Sequence, residues 1–283
     1  MVKTNNEGSN IYKKMSIQVS LGGFSFCAID KQLREIEYFH QEVFAERLNP
    51  VEVLQRIEQL YSREPFLKEG VPQEVEVLFS NELYTLVPEQ YYTEENASDY
   101  LKFNTKILQT DVISQDSVAD HLVNVYIPFT NIVNFFFEKY GEFQYRHSMS
   151  VMIEALLEQS RADQNPCFYV HCHSWGFDLI VIYNEKLLLA NTFNCQTKED
   201  FLYYLLFTAE QLDQDPEEFK LFMFGNITED SEFYQIAYSY VRRIQLLEIS
   251  FGYSFSGKGT PPKAYQHYAL LKSLYEPGSE ITN

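Results

Sequence analysis

Residues 168–193, FYVHCHSWGFDLIVIYNEKLLLANTF, decide how this chain folds. Residues 168–173 read as a strand, Ser174-Trp175-Gly176 turns the chain, and residues 177–183 read as a second strand. Asn184-Glu185 makes a tight turn of the hairpin kind, and residues 186–193 form a third strand. Thr197 then caps a helix, with Asp200 three residues on in a capping-box-like opening. That helix carries Phe201, Leu202, Leu205, Leu206 and Leu212 and ends at Asp215-Pro216. A strand at 219–224, a turn at Gly225-Asn226, a helix over 231–243 and a strand at 246–250 complete the series.

The same order opens the chain. In residues 16–29, SIQVSLGGFSFCAI, two strands flank the turn Leu21-Gly22-Gly23. Residues 33–44 continue as a third strand. Asn49 caps a helix with Pro50 in its first position, and Val51, Leu54, Ile57, Leu60 and Tyr61 fall at helical spacing on one face. A strand follows at 75–79. Further on come strands at 83–87, 112–118 and 121–127, a short helix from Thr93 to residue 102, and an apolar helix over 129–140 ending at Gly141. A short extended piece at 143–147 precedes an amphipathic helix over 148–161. Both halves therefore read β-β-β-α-β and then helix and strand, an internal repeat. A meander feeding a helix gives a mixed sheet covered by helices, an α/β fold. The spacing predicts a polar, disordered arm at 1–14, a first half at 15–147, a second at 148–253, and a loop and tail at 254–283. Within the tail, residues 267–274 are apolar and return to the body.

The totals narrow the partners. A chain of 283 residues with 45% apolar residues buries roughly three quarters of its unfolded surface, so it is globular throughout most of its length. Lys plus Arg is 22 against 40 Asp plus Glu, a net charge of −18. The densest basic spots are pairs, Lys13-Lys14 and Arg242-Arg243, so nucleic acid and anionic membrane are not the expected partners. A basic protein partner suits that field. The four cysteines, Cys27, Cys167, Cys172 and Cys195, form no C-x-x-C pair. Residues 1–14 lack the apolar core of a signal peptide. Buried thiols in a reducing cytoplasm are the expectation.

Three features carry a resemblance: residues 16–29, residues 168–192 with the tail IYNEKLLLANTF, and residues 219–227. Their duplicated order resembles the actin-like superfamily, two ribonuclease-H-like halves facing a nucleotide cleft, and most of residues 15–250 is covered. The chain as a whole looks like the bacterial domain-of-unknown-function 3822 family, which has that fold without an assigned activity. The resemblance implies an Asp-x-Gly in the first hairpin, where this chain has Ser20-Leu21-Gly22, with Gly23 next. It implies Asp-x-Gly-x-Gly-x-x-Asp in the second, where residues 171–178 are His-Cys-His-Ser-Trp-Gly-Phe-Asp; Asp178 alone persists. It implies a Gly-Gly for adenosine, where Gly225-Asn226 stands. Ser20, Gly22, Gly23, Asp178 and Gly225 are thus expected as vestigial nucleotide-cleft positions. Magnesium in phosphoryl-transfer sites takes carboxylate and water oxygens, and a tryptophan in a phosphate loop blocks backbone approach. The expectation is a non-catalytic binding or scaffold protein with no cofactor. The alternative is an ATPase or kinase-like enzyme with diverged motifs, using ATP and Mg.

His171 and His173 share one strand face, with Cys172 on the other, but two ligands from one strand are too few for a metal. Residues 256–260, SGKGT, lack P-loop spacing, and Pro261-Pro262 follows where a helix should begin. A nucleophile pairing of Cys172 or Cys195 with His40, His121 or His147 has no local signature. Phe135-Phe136-Phe137, Tyr91-Tyr92 and Tyr203-Tyr204 read as core packing or as a surface for a protein partner.

Overall fold

In the computed structural model, which describes residues 13–68, 72–119, 121–249, 252–257 and 260–275, both strand triplets form. β1 (Lys13–Ser20), β2 (Gly23–Asp30) and β3 (Glu35–Val43) run as an antiparallel meander. α1 (Pro50–Arg63) leads to β4 (Glu74–Ser80), which lies parallel to β1. β5 (Tyr84–Pro88), α2 (Ala97–Lys102), β6 (Ser114–Val118) and β7 (Leu122–Tyr126) are inserted there, their strands forming a small sheet of order β5-β7-β6. α3 (Thr130–Tyr140) leads back to β8 (Gln144–His147), parallel to β4, and α4 (Ser148–Gln159) follows. The second series is β9 (Cys167–His173), β10 (Gly176–Tyr183), β11 (Lys186–Asn194), α5 (Lys198–Gln211), β12 (Lys220–Gly225), α6 (Glu232–Tyr238) and β13 (Arg243–Leu246). β14 (Ser254–Phe255) and α7 (Tyr268–Lys272) close the chain.

The two large sheets have orders β14-β3-β2-β1-β4-β8 and β11-β10-β9-β12-β13. Without β14 they match strand for strand, so the repeat legible in sequence is a repeat of topology. The chain divides into two compact units, residues 1–151 with 251–262 and 269–283, and residues 152–250 with 263–268. Each unit has its own core. In the first, Ile17, Val19, Phe26, Val77 and Phe79 of the sheet meet Ile57 and Leu60 of α1 and Phe136 of α3. In the second, Phe168, Phe177, Leu179 and Leu221 meet Phe201 and Leu205 of α5. Burying each such side chain contributes about 1.5–3 kcal/mol, and the ring pair Phe168–Phe219, centroids 4.0 Å apart, adds a stacking contact.

α1 begins as the sequence predicts. Asn49 Oδ1 accepts from the amides of Val51 and Glu52, and Glu52 Oε2 accepts from the amide of Asn49. Its buried face is Val53, Ile57, Leu60 and Tyr61, whereas Val51 is exposed. Several boundaries differ from the sequence reading. Lys13 and Lys14, expected in the arm, belong to β1: the ammonium of Lys13 meets Glu37 (2.8 Å), and that of Lys14 meets Glu76 (3.2 Å) and the carbonyl of Ser273 (2.6 Å). The rest of the arm, residues 1–12, lies outside the described residues. The stretch from Thr93 is a 3-10 turn at Glu94–Asn96 running into α2. α6 stops at Tyr238, and the last strand of the unit falls at Arg243–Leu246. It pairs there in parallel with β12, which turns Ile244 and Leu246 toward the core. Residues 254–255, read as loop, add to the edge of β3. No helix among the described residues is long and apolar enough to cross a membrane.

Candidate functional site

The three strands of the second hairpin bring one polar row together. Pairing puts His171 of β9 opposite Asp178 of β10, and Asp178 opposite Thr192 of β11. Side chains of directly opposed residues share a face within contact distance. Nδ1 of His171 donates to Asp178 Oδ2 (2.9 Å), and Thr192 Oγ1 donates to Asp178 Oδ1 (2.7 Å). His173 Nε2 lies 3.6 Å from Oδ1. Asp178 is buried. Burial by itself would push its carboxyl up, but the His171 and His173 imidazoles outweigh burial and hold it well below the usual carboxylate range. His267 is buried too, and burial followed by the neighbouring His171 pushes its imidazole down to about 4.

Gly225 closes this row from β12. Its φ is +85°, and a Cβ there would lie 2.4 Å from the carbonyl of Cys172 and 2.7 Å from the His171 ring. The position accepts only glycine for two independent reasons, backbone conformation and lack of space. Asn226, the second residue of the expected adenosine pair, donates its amide to that same Cys172 carbonyl (2.7 Å). At the turn, the Trp175 ring lies against the His173 ring, centroids 3.8 Å apart.

In the first unit, Ser20, Gly22 and Gly23 meet in the β1–β2 turn. Ser20 Oγ accepts from the amide of Gly22 (3.2 Å) and donates to the carbonyl of Gly23 (3.0 Å). A Cβ on Gly23 would meet the Glu42 carbonyl at 2.4 Å, just as one on Gly176 would meet the Phe193 carbonyl at 2.0 Å. These two glycines hold equivalent places, each where the third strand of the meander crosses the start of the second. The registers Ser20↔Gly23 and His173↔Gly176 make Ser20 the twin of His173, while Gln18, opposite Ser25, is the twin of His171. The two hairpins are thus offset by two residues from the alignment that the motifs implied.

The structure groups Ser20, Gly22 and Gly23 in one unit, and Asp178 and Gly225 around His171 in the other. Thr192 and His267 escaped the sequence reading. For Thr192 the count misleads: counting back across the Asn184-Glu185 turn, both residues of which have positive φ, puts Asn191 opposite Asp178, and the register shift between Val181 and Ile182 brings Thr192 there instead. His267 had no signal. A second buried carboxylate was also missed. Asp116 accepts from Ser150 Oγ (2.6 Å), the His147 amide (2.8 Å) and the Tyr126 hydroxyl (3.1 Å). Burial raises its pKa against those bonds.

Of the nucleophile candidates, Cys172 and Cys195 lie in the second unit and His40, His121 and His147 in the first. His147 bonds the Asn81 carbonyl through Nε2 and the Met149 amide through Nδ1. All four cysteines are buried and outside disulfides. Burial pushes the thiols of Cys27 up to about 12 and of Cys195 up to about 11, and raises that of Cys172 as well, so none is a ready thiolate. Of the phosphate-loop-like stretch 256–260, residues 258 and 259 lie outside the described residues. Phe136 is core, whereas Phe137, Tyr91 and Tyr203 are exposed.

Two matched halves, each a five-strand mixed sheet with helices, define a protein of the actin-like ATPase fold. A Bacteroides thetaiotaomicron protein with that fold and unknown function is similar at a TM-score of 0.77 and 19% identity, over 87% of this chain and 94% of that one. A chain of the PilM–PilN type IV pilus biogenesis complex is similar at a TM-score of 0.59 and 10% identity, over 95% of this chain and 100% of that one. The chain belongs to the DUF3822 family, described as proteins of unknown function, whose model matches residues 3–244. No curated protein matches it.

Proposed function

We propose that this chain is a non-catalytic member of the actin-like fold that works by binding a protein partner in the cytoplasm. The observation that carries the reading is the engagement of Asp178. Of the acidic residues the fold's motifs call for, it alone persists, and both its oxygens accept hydrogen bonds, one from His171 and one from Thr192. A magnesium ion needs carboxylate oxygens facing its water shell, and this carboxylate faces inward. The Gly22 amide, one candidate phosphate donor, is bound by Ser20 Oγ, and Trp175 occupies the second turn. The charge of −18 favours a basic protein over nucleic acid or an anionic membrane, and four buried thiols fit a reducing compartment. A chain of the same fold works within a protein complex, PilM–PilN.

The test is thermal unfolding and titration calorimetry with ATP, ADP and GTP at about 1 mM, with and without magnesium. A ligand at a hundred times its Kd stabilises the folded state by about 2.7 kcal/mol. The expected result is no shift and no heat. Magnesium-dependent ATP binding at micromolar affinity would overturn the reading.

A further inference from the structure

The two meanders are twins, yet their outer edges are treated differently. In the first unit the edge strand β3 carries Glu35, Glu37 and Glu42, and its start is covered by β14, which pairs through Ser254 and Phe255. Charge and cover are the ordinary means of keeping an edge strand from pairing with another chain. In the second unit the equivalent edge, β11, has the sequence KLLLANTFN, with Lys186 its only charge and no proline. No strand among the described residues pairs with its outer side. Asn191 Oδ1 accepts from the Thr192 amide (3.0 Å), a side-chain stand-in for the missing neighbour.

Beside this edge runs a ladder of rings from core to solvent. Phe177 stacks on Phe193 of β11 (5.2 Å), Phe193 on Tyr204 of α5 (4.9 Å), Tyr204 meets Tyr203 (5.4 Å), and Tyr203 stacks on Phe207 (5.6 Å). Leu188, Tyr203 and Phe207 are 40%, 59% and 45% exposed. Around them on α5 the exposed acids Glu199, Asp200 and Glu210 outnumber the one cation, Lys198, whose ammonium lies 3.7 Å from Glu232.

We propose that the outer side of β11, with the Tyr203–Phe207 stretch of α5, is a docking edge for a basic, extended segment of a partner protein. The backbone of the segment adds a strand to β11. Its aliphatic and cationic side chains lie on the rings, where cation–π attraction adds to burial, and the carboxylates rim the contact. Charge selects this occupant over a second copy, since two chains of −18 repel each other. The inference rests on the protein-binding reading above and gives it a place.

The probe is a labelled peptide of alternating Lys and Val, as long as β11, followed by fluorescence anisotropy against the full chain. Its controls are the Glu/Val counterpart and a Lys/Val peptide N-methylated at alternate residues, which loses its pairing amides. Phe207→Ala and Tyr203→Ala alter exposed side chains, and unchanged circular dichroism and unfolding midpoint show that the fold is kept. The Lys/Val peptide is expected to bind and the Glu/Val peptide not to bind, while N-methylation and each substitution weaken binding about tenfold, the scale of a buried interface anchor. No binding of the Lys/Val peptide, equal binding by the variants, or equal binding of the N-methylated peptide overturns the proposal. A dimer in sedimentation velocity that Phe207→Ala converts to monomer assigns the edge to a second copy and overturns it too. Failure here with no nucleotide binding removes the docking edge alone, whereas magnesium-dependent ATP binding removes the parent reading.

Discussion

At Asp178 the cost of burying a carboxylate meets the donors His171 and Thr192, with His173 Nε2 3.6 Å from Oδ1. Removing one partner of a buried hydrogen bond costs about 1–3 kcal/mol, because the other group is left unsatisfied. Asp178→Asn is therefore expected to lower the unfolding free energy by about 1–3 kcal/mol in urea titrations. Adding His171→Ala should cost less than it does alone, since the two residues share one network. His267 sets a pH limit. Its folded pKa, about 4, lies below its ordinary 6.5, so the unfolded chain takes up the proton first. Its contribution to stability is complete above pH 6.5 and is lost as the pH falls toward 4, about 3 kcal/mol in all. His267→Gln should flatten that part of the stability curve, measured by denaturant unfolding across this pH range. Gly225→Ala combines a left-handed backbone with a carbonyl 2.4 Å from the new methyl carbon. It is expected to cost at least about 1–3 kcal/mol, seen as a lower unfolding midpoint.

At the scale of elements, helix starts follow local chemistry. The Asn49–Glu52 box satisfies amides that the first turn of α1 leaves without partners. Asn49→Ala should cost about 1 kcal/mol, whereas Val51→Ala, on the exposed side, should change the same unfolding measurement by less than about 0.5 kcal/mol. α5 is capped by Thr197 through the Asp200 amide (3.1 Å), but its apolar residues are not confined to one face. Phe201 and Leu205 are core, while Tyr203 and Phe207 face water. Strand edges carry the same lesson. β3 and β11 hold equivalent places in their sheets, and only the glutamates and β14 on the first distinguish a guarded edge from an open one.

For the whole molecule, the duplicated order of strands and helices was legible because each element is specified by near neighbours. The two-residue turns at Leu21-Gly22 and Asn184-Glu185, the cap at Asn49 and the apolar run of residues 179–182 all act within a few positions. The misses were long-range. β13 took Arg243–Leu246 because β12, some twenty residues earlier, supplied a parallel partner. Lys14 left the expected disordered arm because Glu76 and Ser273 neutralise and bond it. The site was legible only as residue types: the hairpin registers, not the motifs, made Ser20 the twin of His173. Local patterns specify the α/β repeat, and the residue types alone put serine and histidine at positions 20 and 171. The meeting of His171, Asp178, Thr192 and Gly225 comes from the folded sheet, since a row across four strands depends on pairing registers that sum over loops and helices, and no local preference encodes such a sum.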